Sequence, residues 1–87
     1  MDDIMIFHRI KQILVTDFGK DEAIVTPKAT LRGTLMMDSL DLVDLMFFLQ
    51  REFHFEARLE DLRDVKSLDA LVGFITMHTE PRRVAVG

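Results

Sequence analysis

Residues 38–53 read DSLDLVDLMFFLQREF, and this stretch decides the fold. At about 100° per residue, Leu42, Leu45, Met46, Leu49 and Phe53 gather on one face, which predicts an amphipathic helix over about 39–53 with that stripe on the core. Asp38 is a favoured N-cap, and Asp41 three residues later comes close to a capping box. A second apolar group, Leu40, Val43 and Phe47, falls on nearly the opposite face, flanked by Asp44 and Arg51. A helix in a small domain rarely buries both sides, so the second face is expected to be a docking surface. The plainer alternative is that Leu40 and Phe47 pack on the preceding loop.

Working outward, residues 3–18 place Phe7, Ile10, Ile13, Leu14 and Phe18 at helical spacing, with Asp2 and Asp3 suited to the N-terminus and Gly19 to the position just past the end. Residues 20–37 hold Pro27, Gly33 and three threonines without a sustained period. They predict a long loop between the first two helices, tied down by Val25, Leu31 and Leu35. Residues 54–66 form a connector with a short helical turn at 60–63. Ser67 caps a last helix whose apolar face is Leu68, Leu71, Val72 and Ile75, with Asp69 in its first turn. The fold class is all-α, a three- to four-helix bundle packed around Leu and Phe residues. Residues 1–79 make one domain and residues 80–87 a flexible tail. Most of the six methionines are expected to fill the core.

Composition narrows the function. At 87 residues, 48% hydrophobic and 30% charged, the chain is one globular domain. Residues 38–79 carry nine acids against four Lys/Arg, which argues against nucleic acid and for a basic partner surface. No apolar run approaches the roughly 20 residues of a membrane span. The opening MDDIMIF is acidic, unlike a signal peptide, so the cytoplasm is expected. There is no cysteine, hence no disulfide, no thiolate nucleophile and no Cys-ligated zinc. His8, His54 and His78 lack metal-ligand spacing and read as exposed or helix-end residues. No nucleophile elbow and no phosphate-binding glycine loop occurs. Asp41 and Asp44 read as a solvated acidic edge before a paired-acid site. A non-catalytic protein is the expectation.

Ser39 is the remaining candidate. By its neighbours alone, Asp38-Ser39-Leu40 is a helix start. Its position in a first turn, where free backbone N–H groups and the helix dipole favour an attached phosphate, also makes it a possible site.

At these residues the chain resembles the acyl carrier proteins. The attachment motif D-S-L-D stands as Asp38-Ser39-Leu40-Asp41, followed by Val43-Asp44-Leu45 and by Leu49-Gln50-Arg51-Glu52-Phe53. Gly19, Ala29-Thr30-Leu31 and the run from Val65 to Val72 extend the likeness over about residues 4–77. The resemblance implies a 4′-phosphopantetheine arm on Ser39, taken from coenzyme A through a phosphopantetheinyl transferase. Its thiol would carry acyl groups as thioesters, so the reactive sulfur missing from the chain comes with the cofactor. Partners would be acyl-transferring and acyl-modifying enzymes reading Asp38, Asp41 and Asp44, and a monomer is expected.

The departures point to a specialised member, serving a particular fatty-acid, lipid or polyketide-type pathway. Met36-Met37 replace the small pair usual before the motif, and Gln50 and Arg51 stand where acids are common. Leu40, Val43, Phe47, Met36 and Met37 are expected to form one apolar recognition patch around the arm. Ala57 stands where a larger aliphatic is usual; either the acyl cavity is enlarged there, or Phe55 or Phe48 fills the gap. The alternatives are a peptidyl or aminoacyl carrier, whose Gly-Gly lead is absent, and an unmodified helical interaction module.

Overall fold

A computed structural model describes residues 2–79; the expected tail, residues 80–87, lies outside them. Three long helices run in the order α1 (Asp3–Thr16), α2 (Ser39–Phe53) and α3 (Leu68–Thr79), with short 3-10 segments at Glu22–Ile24 and Leu59–Asp64. The all-α bundle with a long loop between the first two helices is therefore the observed architecture.

Each helix begins where a side chain can accept its free amides. Asp2 takes the Met5 N–H at 2.9 Å at the head of α1. The helix ends at Thr16, two residues earlier than the apolar spacing implied, and Gly19 turns the chain at φ 65°. That turn lets the Lys20 N–H reach the Leu14 carbonyl at 2.9 Å. At the end of α2 it is His54, not a glycine, that adopts the left-handed conformation, at φ 55°.

The core is more aliphatic than expected. Ile6, Ile10, Leu14, Leu45, Leu49, Leu68, Leu71 and Ile75 are essentially inaccessible, while among the seven phenylalanines only Phe53 and Phe55 are buried. All five residues of the α2 stripe and all four of the α3 face are in this core. Helices α1 and α3 pack together, joined at one end by the Thr76 hydroxyl donating to the Asp3 carboxylate at 3.2 Å. An Arg9–Glu52 ion pair bridges α1 and α2 at the surface. Met46 and Met37 fill the core, but Met5, Met36 and Met77 are exposed, so the expectation of mostly core-filling methionines is corrected.

The long loop is fastened. Val25, Ala29, Leu31, Leu35 and Met37 are all buried. Its backbone also satisfies the head of α3: the Leu68 N–H donates to the Ala29 carbonyl and the Asp69 N–H to the Pro27 carbonyl, each at 2.9 Å. An antiparallel bridge pairs Thr30 with Ser67, and the Leu31 N–H donates to the Lys66 carbonyl at 2.9 Å. Thr30 and Thr34 close the next turn, the Thr34 N–H donating to Thr30 Oγ1 at 2.9 Å. A Cβ on Gly33 would lie 2.6 Å from that same oxygen, so this turn needs glycine. The segment leading to Ser39 is thereby anchored to the start of α3.

Candidate functional site

Ser39 is the first residue of α2 and is exposed. The helix start is held by a complete capping box: Asp38 Oδ1 accepts from the Asp41 N–H at 3.0 Å, and Asp41 Oδ2 accepts from the Asp38 N–H at 3.3 Å. Among the described residues no hydrogen bond engages the Ser39 hydroxyl. The cap thus fixes the backbone at Ser39 and leaves its oxygen free. Removing it by Asp38→Ala is expected to cost about 1 kcal/mol of stability, measured by urea unfolding.

The chain has one other serine, and it makes an informative comparison. Ser67 also precedes Leu-Asp and also heads a helix. Yet Ser67 is half-buried and its hydroxyl is occupied, donating to the Asp69 carboxylate and accepting the Ala70 N–H at 3.4 Å. The bond from Ser67 holds the Asp69 carboxyl below its ordinary value. The same three residue types therefore give an engaged structural cap at 67–69 and an exposed, unpartnered hydroxyl at 39–41. The difference is one of register: Ser67 occupies the cap position itself, whereas at the other site Asp38 does.

Ser39 lines a cleft of about 380 Å³ between the α2 head, the anchored loop and the Leu59–Asp64 segment. Buried Leu31, Leu42 and Leu62 and half-buried Val65 supply its apolar surface, and Arg32, Arg63 and Lys66 its charge. Apart from Ser39, none of these residues stood out as part of a site from the sequence. They come from three separate segments, and the backbone bridge that joins two of them leaves no periodic signal.

The outer face of α2 is open. Leu40 is 74% exposed, Phe47 66% and Val43 39%, so the alternative in which Leu40 and Phe47 pack on the loop is overturned. Asp38, Asp44 and Arg51 are exposed as well, and Asp41 is half-buried in its capping bond. Met36 is 74% exposed, but Met37 is only 2% exposed. The expected patch joining both methionines is corrected: Met36 adopts φ 51°, and this left-handed step turns its side chain out and the next one in. Ala57 is not at the Ser39 cleft. It is half-buried against the core and lines a shallow surface depression with Val43, Met46, Phe47, Gln50 and Leu59. Phe55 packs on Phe74 and Phe48 on Phe18, both edge to face. His8, His54 and His78 are exposed. No cluster of potential metal ligands occurs among the described residues, and no helix among them is long and apolar enough to cross a membrane.

The structure is thus a small helical bundle that presents an unpartnered, exposed hydroxyl at a helix head, beside a cleft with apolar and cationic lining. The family pattern described as the phosphopantetheine attachment site matches residues 8–75. An acyl carrier protein of Rubrobacter xylanophilus is 35% identical over 78 residues, covering 90% of this chain and 96% of that protein. The chain belongs to the acyl carrier protein family, whose members are carriers bearing a covalent 4′-phosphopantetheine group. The residues present suit that group: an exposed serine hydroxyl without a competing bond, a helix N-terminus beside it, and a cleft with both apolar and cationic lining.

Proposed function

We propose that Ser39 carries the phosphopantetheine arm and that the protein presents acyl groups, held as thioesters on the arm's thiol, to partner enzymes. The observation that carries this reading is the contrast between the two serines: Ser39 is exposed and free beside the cleft, and Ser67 is engaged. In the loading reaction the Ser39 Oγ replaces one oxygen bridge of the coenzyme A phosphoanhydride. A phosphodiester to Ser39 forms, adenosine 3′,5′-bisphosphate leaves, and the hydroxyl proton passes to the transferase. The chain's own part is to hold Ser39 in place through the Asp38–Asp41 box and to offer free first-turn N–H groups toward the attached phosphate. When bound, the arm supplies the thiol that the sequence lacks.

The test is incubation with coenzyme A and a broad-specificity phosphopantetheinyl transferase, followed by intact-mass measurement. One added arm per chain is expected; no gain would defeat the proposal.

The recognition surface we assign to Asp38, Leu40, Asp41, Val43, Asp44, Phe47 and Met36. Its apolar character supports a specialised carrier working with dedicated cytoplasmic acyl-handling enzymes. Phe47 is its centre, because shallow depressions flank it on both sides: one lined with Asp44, Phe48 and Arg51, the other with Val43 and Ala57. Replacing Phe47 with alanine is expected to lower transferase kcat/KM roughly thirtyfold, the effect of losing an interface hot spot of about 2 kcal/mol. Stability should change by less than about 0.5 kcal/mol. An unchanged kcat/KM would remove Phe47 from the surface.

A further inference from the structure

The cleft beside Ser39 has a charge opposite to that of the protein. The chain carries a net charge of −4, and residues 38–79, with nine acids against four Lys/Arg, are more acidic still. Yet the cleft is lined by Arg32, Arg63 and Lys66, and no aspartate or glutamate lines it. The ion pairs among the described residues are Arg9–Glu52, Lys11–Glu22 and Arg58–Glu60, so none of the three cations is neutralised by one. The arrangement is built, since the Thr30–Ser67 bridge and the Leu31–Lys66 backbone bond bring the segment bearing Arg32 against the segment bearing Lys66. Arg32, Arg63 and Lys66 are all exposed, so their mutual repulsion is modest and salt-screened, but the positive potential they create at the cleft favours an anion there.

The arm's phosphodiester supplies one negative charge, which leaves two of the three cations unmatched. The buried surfaces of Leu31, Leu42 and Leu62 lie in the same cleft, so its occupant has an apolar length as well as charge. We infer that the cargo this carrier shelters is an acyl chain ending in a carboxylate, with the chain on the leucines and the carboxylate among Arg32, Arg63 and Lys66. The inference rests on the proposal that Ser39 bears the arm. It adds a chemical class of cargo, an ω-carboxylated acyl group, to that reading. The same cations set a preference against a plain alkyl chain of equal length, which would bury nothing against them.

The test loads the protein through the transferase with coenzyme A, with octanoyl-coenzyme A, or with its ω-carboxy counterpart, suberyl-coenzyme A. Intact mass verifies each product before thermal unfolding at low and high salt. The suberyl form is expected to melt about 3 °C above the octanoyl form at low salt, with the gap closing at high salt. In an Arg32→Gln/Lys66→Gln double variant the gap should shrink or vanish. Both residues are exposed, and an unloaded melting curve confirms that the variant folds. Equal melting of the two loaded forms, a more stable octanoyl form, or a gap unchanged in the double variant would overturn the anionic cargo while leaving the arm on Ser39 intact. A chain that accepts no arm from any donor would overturn both.

Discussion

Ser39→Ala is expected to abolish loading of the arm completely, whereas Ser67→Ala leaves it at the wild-type level. Two serines in the same local sequence, each heading a helix, allow this comparison within one chain. At Ser39 the hydroxyl has no partner among the described residues and stands at the cleft, so removing it deletes the proposed attachment atom and little else. Stability should move by less than about 0.5 kcal/mol, as for other exposed positions. At Ser67 the hydroxyl holds Asp69 and receives the Ala70 N–H, so its loss is expected to cost about 1 kcal/mol in cap stability with no effect on loading. The two substitutions therefore separate in opposite directions. Intact mass after transferase treatment reads the first effect and urea unfolding the second. A Ser39→Ala protein that still gained an arm would refute the assignment.

Leu49→Ala carries the largest expected cost in stability, about 3–5 kcal/mol. Leu49 is fully buried in the middle of the α2 stripe, among residues contributed by the other helices and the anchored loop. Deleting three carbons there loses transfer free energy and leaves a cavity that a close-packed helical core only partly refills. Domains of this length are stable by roughly 4–13 kcal/mol, so the variant sits near the limit of folding. The urea midpoint should fall sharply with the m-value unchanged. Phe47 lies two residues away on the same helix and is largely exposed, so its removal is expected to act on the proposed docking surface instead. The opposite consequences of these neighbouring substitutions follow from the two faces of α2.

Those faces were legible in the sequence because a helix repeats its environment every 3.6 residues, so a local pattern carries long-range information. The stripe Leu42–Phe53, the exposure of Leu40 and Phe47, and the Asp38–Asp41 cap all follow from spacing within one element. The loop obeys no such period. Val25, Leu31 and Leu35 could be expected to turn inward as apolar anchors, but the opposite fates of Met36 and Met37 depend on one left-handed residue that their chemistry does not announce. His54 at the end of α2 is a similar case, since glycine is the usual residue in that conformation. The cleft was hidden for a different reason. Its cations lie at positions 32, 63 and 66, and the backbone pairing of residues 30–31 with 66–67 brings the segment of Arg32 beside that of Lys66, a long-range contact without a periodic signal. Ala57, half-buried against the core, also lines a depression beside Phe47, a placement that its local sequence does not announce. There the Gln50 side chain accepts the Ala57 N–H at 2.9 Å.

The most direct measurement is to locate the arm on the loaded wild-type protein. After treatment with coenzyme A and transferase, trypsin releases residues 33–51, which contain Ser39, separately from residues 67–82, which contain Ser67. Fragmentation of the modified peptide is expected to place a single phosphopantetheine on Ser39 and none on the 67–82 peptide. An arm found on Ser67, or on a threonine of the anchored loop, would contradict the account.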